Sequence, residues 1–208
     1  LRSGSQKGDM SRKKANRSQD PWRDDALEAV RTLRSGGVIV HATDTVWGIA
    51  CDATNEEAVA KLRSLKGKDS DSPILVLVGD EGLIEKHITD VPKAAWDLFE
   101  HNDRPTTVIM PGGKNVAPTI LGTGNSLGIR LVHDDWTVFV SRGLGKPLAS
   151  SSANLSGLPT PPDYDSIDES ILEGADFVSS HRRSDRSQGR PSFIGSFDSS
   201  GRFKILRS

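Results

Sequence analysis

The sequence predicts an α/β fold built on a mixed β-sheet flanked by helices. Two observations lead there. From Pro21 onward, segments of helical periodicity alternate with short apolar runs, the pattern of strands joined by crossover helices. At the end of the chain the runs 192–197 and 202–206 flank Asp198-Ser199-Ser200-Gly201, a turn that closes a hairpin and so adds antiparallel pairing.

Each element has its own justification. Residues 1–20 (LRSGSQKGDMSRKKANRSQD) are polar, Ser-rich and basic without apolar periodicity, and read as a disordered tail, part of it an addition ahead of a native Met10. Residues 21–208 read as a single domain. In 24–34, Leu27, Val30 and Leu33 share one helical face, and Gly36-Gly37 ends that helix before a strand at 38–40. Thr54-Asn55-Glu56-Glu57 has the form of a capping box with Thr54 as N-cap, ahead of a helix burying Val59, Leu62 and Leu65. Strands follow at 74–78, 106–110, 126–132, 147–149 and 177–179, with helices at 92–101, 134–142 and 166–173.

Composition excludes several classes. A net charge of −1 is not that of a polycation, so nucleic-acid binding would require a local basic face. The single cysteine, Cys51, allows no internal disulfide and points to a reducing, cytoplasmic setting. No run approaches the roughly 18 apolar residues of a membrane span, and the N-terminus lacks the apolar core of a secretory signal. Gly143-Leu144-Gly145-Lys146-Pro147 has neither the spacing nor the hydroxyl of a Walker loop, and after Gly122-Thr123-Gly124 the third glycine of a dinucleotide fingerprint is misplaced and no long helix follows. There is no HExxH motif or cysteine pair, which argues against a zinc site. His41 reads as a surface or loop histidine.

What remains is a set of polar clusters at strand exits. They are Thr43-Asp44-Thr45, Lys66-Gly67-Lys68, Arg130 inside an apolar strand, and the serine-rich stretch 150–157, SSSANLSG. Singly, each has an ordinary explanation: cations at a helix C-terminus, a structural ion pair, a flexible turn. Together, hydroxyls, small residues and cations could cradle a polyphosphate.

The ordered set resembles the family of bacterial YrdC and the Sua5 proteins, the threonylcarbamoyl-AMP synthases, from about Asp24 to Arg207. The family's P-T-[DE]-T-[VI]-[YFW]-G-[LIV] corresponds to A-T-D-T-V-W-G-I at 42–49, and its K-x-R to Lys66-Gly67-Lys68. P-x-T matches Pro105-Thr106-Thr107, [VI]-R matches Ile129-Arg130, and S-x-S-A-N-x-S-G is intact at 150–157. P-S-[ST]-I is similar to Pro191-Ser192-Phe193-Ile194, and a final-strand arginine to Arg207. The chain is expected to be of the short YrdC type, without the C-terminal domain of Sua5 proteins.

The resemblance implies a twisted sheet with a concave, positively charged substrate face. It also implies synthesis of threonylcarbamoyl-AMP and pyrophosphate from L-threonine, bicarbonate and ATP with Mg²⁺, for modification of adenosine 37 in tRNA by later transfer proteins. Thr43, Thr45, Thr107, Arg130 and Ser192 match threonine-binding positions. Lys66, Lys68, Ser150, Ser152, Asn154 and Arg207 match the ATP side, with Lys66, Lys68, Ser152 and Asn154 carrying the catalytic part. The chain departs from the pattern at Ala42 (for proline), Lys68 (for arginine), Leu77 (for a histidine in some members) and Phe193, expected to narrow the pocket. The alternative is a non-catalytic member of the same fold that binds tRNA or double-stranded RNA. A third reading is ATP-dependent carbamoyl-type transfer to another amine.

Overall fold

A computed structural model describes residues 20–67, 74–101, 103–186 and 189–208. The tail 1–19 and Lys68 lie outside the described residues. In chain order the elements are α1 (Trp22–Arg34), β1 (Ile39–Ala42), β2 (Trp47–Asp52), α2 (Glu56–Leu65), β3 (Leu75–Val78), α3 (Glu81–His87), α4 (Lys93–His101), β4 (Thr106–Met110), β5 (Leu127–Leu131), α5 (Asp135–Leu144), β6 (Leu148–Ser152), α6 (Glu169–Gly174), β7 (Phe177–Val178), β8 (Phe193–Phe197) and β9 (Phe203–Arg207). Three short 3₁₀ turns lie in the connections.

The strands form one sheet in the order β7-β1-β2-β6-β3-β5-β4-β8-β9. The β1/β7, β3/β5 and β4/β8 pairs are parallel and the rest antiparallel, so the sheet is mixed, as the closing hairpin suggested. Because strand side chains alternate between faces, the core divides in two. Val40, Ile49, Val76, Val108, Ile129 and Ala149 pack with residues of α2, α3, α4 and α6 on one face. Ile39, Ala50, Leu77 and Leu148 pack beneath α1 and α5 on the other.

Helix cover on that second face stops partway along the strands. Gly48, Leu75 and Ser150 share the parity of Ala50, Leu77 and Leu148, and they line an open cavity, with Leu75 at its border still packed against the cluster under α1 and α5. This uncovered end of the sheet is where the candidate site lies.

Several expectations from sequence differ from the structure. The segment 47–52 is a strand, so Thr43-Asp44-Thr45-Val46 is the turn of a hairpin, with Ala42 paired to Trp47. Every residue of β2 is buried, and a strand covered on both faces shows no alternation to find. The α2 cap is Asn55, whose Oδ1 accepts from Ala58 N at 3.1 Å. Thr54, expected to cap, instead donates from Oγ1 to Asp52 Oδ1 at 2.7 Å.

Leu27 is 41% exposed, and the buried stripe of α1 is Ala26, Ala29, Val30 and Leu33. Small residues let α1 and α5 approach closely; a Cβ added to Gly143 of α5 would fall 2.9 Å from Val30. His41 is not at the surface: it is fully buried on β1 and stacks on Trp136 of α5, centroids 5.1 Å apart. Ser150 and Ser152 belong to β6 rather than to a loop after it. The helix expected at 166–173 starts at Glu169, and α3 had not been expected.

Candidate active site

Six segments meet around a cavity of about 270 Å³ lined by Thr43, Thr45, Lys66, Arg130, Ser150, Ser152, Asn154, Ser192 and Arg207, among others. Its cations are Lys66, Arg130 and Arg207, and no carboxylate is found in its wall among the described residues.

The β1–β2 turn is self-stapled. Thr43 Oγ1 donates to Val46 O at 2.7 Å and accepts from the backbone N–H groups of Thr45 (3.0 Å) and Val46 (3.1 Å). That is the local competition by which Thr side chains shape turns. Against this turn stands Arg130 of β5, whose Nη1 donates to Thr45 Oγ1 at 2.9 Å. Its Nη2 lies 3.2 Å from Asp44 Oδ1, with the arginine side chain only 5% exposed. Burial lowers the Arg130 pKa, opposed by Asp44 and Asp134. Burial likewise raises that of Asp44 against the pull of Arg130.

Lys66 caps the C-terminus of α2 and is buried. Its Nζ donates to Ser152 O at 2.7 Å and Asn154 O at 3.0 Å. Desolvation lowers its pKa to about 8. The loop after β6 is held by Asn154: its Oδ1 accepts from Ser152 Oγ, and its Nδ2 donates to Leu155 O and Leu158 O at 2.9 and 2.8 Å. Asn154 therefore shapes the loop with its amide, while its backbone carbonyl holds Lys66.

The opposite wall is made by Ser192 and Arg207, with Thr107 behind Ser192. The Thr107 and Ser192 hydroxyls are 2.9 Å apart, and Arg207 donates to Ser192 O at 2.9 Å and to Ser192 Oγ at 3.2 Å. β8 runs parallel beside β4 and antiparallel to β9, so residues far apart in sequence converge here. Desolvation lowers the Arg207 pKa.

The sequence-derived residues thus gather at one place, with two qualifications. Lys68 lies outside the described residues, and Thr107 reaches the wall through its bond to Ser192 rather than lining the cavity itself. Two departures have no direct part in the wall. Leu77 is fully buried in the apolar cluster under α1 and α5, and Phe193 is not a lining residue, whereas its neighbours Ser192 and Ile194 are. Leu75, Gly48, Val46, Thr160 and Ile194 also line it. Strand parity counted from Arg130 and Ser150 could have found Leu75 and Gly48 once the pairing was known; nothing in the sequence marks Thr160. Among the described residues no group of three or more His, Cys, Asp or Glu side chains could hold a metal ion, and no helix is long and apolar enough to cross a membrane.

Comparison with known proteins agrees with this geometry. The family profile of the Sua5, YciO and YrdC proteins, described as telomere recombination, matches residues 31–208. The threonylcarbamoyl-AMP synthase of Photobacterium profundum is 30% identical over 139 residues, covering 65% of this chain and 75% of that protein. The structure of E. coli YciO superposes with a TM-score of 0.77 at 21% identity, covering 91% of each chain. That of P. abyssi Sua5 complexed with L-threonine superposes with a TM-score of 0.75 at 21% identity. That match covers 88% of this chain but 53% of the Sua5 chain, so this chain spans about half of it. At these identities the two structures show a shared fold. The matched profile, covering most of the chain, shows that the chain belongs to the Sua5/YciO/YrdC family.

Proposed function

We propose that the chain is an L-threonylcarbamoyladenylate synthase. Relatives bearing the name threonylcarbamoyl-AMP synthase support the reading. The observation that carries it is the cavity wall itself: Lys66, Arg130 and Arg207, hydroxyls between them, and no facing carboxylate among the described residues. Such a wall suits a polyphosphate together with an amino acid's carboxylate.

In this reading the threonine amine attacks the carbon of bicarbonate, water leaves, and a carbamate forms. A carbamate oxygen then attacks the α-phosphorus of ATP, the bond from that phosphorus to the bridging oxygen breaks, and pyrophosphate departs. Positioning and charge neutralisation supply most of what these steps need. Lys66, held by two carbonyls, retains a third N–H for a phosphate oxygen. Ser150 and Ser152 offer hydroxyls from the sheet floor. Arg130 takes the threonine carboxylate. Leu75 and Ile194 give the substrate methyl an apolar neighbour. The wall offers no acidic group among the described residues, and Mg²⁺, a hard cation that prefers oxygen ligands, would enter with ATP and neutralise phosphate charge.

Arg130 and Lys66 are too deeply buried to reach the phosphates of an RNA duplex, which favours small ligands over the RNA-binding reading. Incubation with ATP, L-threonine and bicarbonate, following pyrophosphate and the adenylate by mass spectrometry, tests the proposal. Release is expected only with all three substrates. Tight RNA binding without turnover would overturn it.

A further inference from the structure

We propose that Asp44 is a positioning residue that holds Arg130 in the orientation required to select an amino-acid substrate by its free α-carboxylate. The inference deepens the synthase reading and rests on it.

Three observations carry it. First, the Arg130 side chain is 5% exposed and its ion-pair partner is Asp44, itself 14% exposed. A guanidinium at that depth without a carboxylate is costly, and a long side chain left unpaired adopts other rotamers. Second, Asp44 occupies the tip of a turn that Thr43 staples internally, so the backbone that carries the carboxylate is set before any ligand arrives. Thr45, the next residue of the same turn, holds the second terminal nitrogen of Arg130. One turn therefore meets both terminal nitrogens of the guanidinium, one by a hydrogen bond from Thr45 and the other by an ion pair with Asp44.

Third, Asp44 does not line the substrate cavity. It lines a separate hollow of about 220 Å³ with Asp103, Arg104, Thr106 and His133, and so acts on Arg130 from behind. A carboxylate in the substrate cavity would repel the substrate's own; placed behind, it orients the cation without obstructing it. The other charged groups that act on this pair are Asp134 and His133 beyond β5, and Arg207 from β9.

The consequence is a division of labour: Arg130 touches the substrate, and Asp44 lowers the cost of ordering Arg130 for that contact. The test compares L-threonine with L-threoninamide, which keeps the amine and hydroxyl but lacks the carboxylate, in pyrophosphate release by the full chain. Wild-type protein is expected to prefer threonine strongly, and Arg130→Ala to abolish the preference. Asp44→Asn is expected to reduce the preference about tenfold or more through threonine KM rather than kcat, with threoninamide affected by no more than about twofold. Asp44→Glu, which retains the charge but displaces it, should fall between the two and provides the test should the Asn variant fail to fold.

An unchanged preference in both Asp44 variants would overturn the inference. So would an equal loss for both substrates, which marks a purely structural role, or a lowered threonine KM. If Arg130→Ala itself leaves the preference intact, the assignment of Arg130 to the carboxylate fails instead, and the inference falls with it.

Discussion

Lys66 Nζ and the backbone carbonyl of Ser152 are 2.7 Å apart, a contact that ties the C-terminus of α2 to the end of β6 across 86 residues of sequence. It places a cation where burial disfavours charge, and the lysine pKa falls to about 8 in consequence. The protonated form predominates below that value and is lost as pH rises through it. ATP affinity of the free protein is therefore expected to weaken from about pH 8 upward, approaching tenfold per unit if the ammonium is required. Lys66→Met should remove this dependence along with most of the affinity. A flat ATP affinity from pH 7 to 9.5, measured by calorimetry on the wild-type protein, would exclude Lys66 from the phosphate contact.

Arg207 tests whether the two ends of the chain act on one ligand. Its guanidinium holds Ser192 while its strand lies at the sheet edge, so its removal should cost the free protein about 0.5–1 kcal/mol at most. Ligand at roughly 100 times its dissociation constant adds about 2.7 kcal/mol of stability by linkage. Arg207→Ala is expected to lose most of the melting shift caused by subsaturating ATP with threonine, with the unliganded melt preserved. An intact ligand shift would remove Arg207 from the site.

Much of this was legible in the sequence, for physical reasons that differ between residues. The S-A-N-x-S-G stretch and T-D-T carry side chains whose local hydrogen bonds constrain backbone shape, so their order along the chain is informative. The hairpin β8–β9 announced itself through turn chemistry at 198–201. Strand β2 did not, because burial on both faces erases the alternation that marks a strand. Thr43 and Asn154 line the cavity, and their side chains also hold the turn and loop that present other groups. Hydrogen-bond satisfaction of that kind depends on a fold that residue type alone does not reveal. The burial of His41 is equally hidden from residue type, because the ring stacks on Trp136, 95 positions away in sequence.

His41 makes stability depend on acid. Burial lowers its pKa to about 4, so the ring is neutral in the folded protein at neutral pH and protonates readily only when unfolded. Stability from the neutral ring is fully present above the unfolded value of about 6.5 and is lost as pH falls from there toward about 4, by up to about 3 kcal/mol. His41→Phe preserves the stack on Trp136 and removes the titration. Urea unfolding at pH 7.5 and 5.0 should show a smaller acid loss for the variant than for wild type, and equal losses would show that His41 is not the responsible group.

The wall opposite Lys66 is held against the β1–β2 turn by a close backbone approach at Gly189. A Cβ added there would collide with Thr45 O, so even alanine requires the segment at 189–192 or the turn to move. That segment carries Pro191 and Ser192 into the cavity wall, and the turn carries Thr45, which anchors Arg130. Either displacement disturbs the amino-acid side of the site before the nucleotide side. Gly189→Ala is expected to raise threonine KM more than ATP KM and to cost about 1–3 kcal/mol of stability, the usual range for overpacking. Gly157→Ala is the contrasting variant: its φ of 81° strains any side chain, but a Cβ there meets nothing within 4 Å. It should cost about 1 kcal/mol through backbone strain alone, without the threonine-selective defect. Matching KM changes in the two variants would trace the effect to backbone strain in general, and the contact between Gly189 and Thr45 would lose its part in shaping the site.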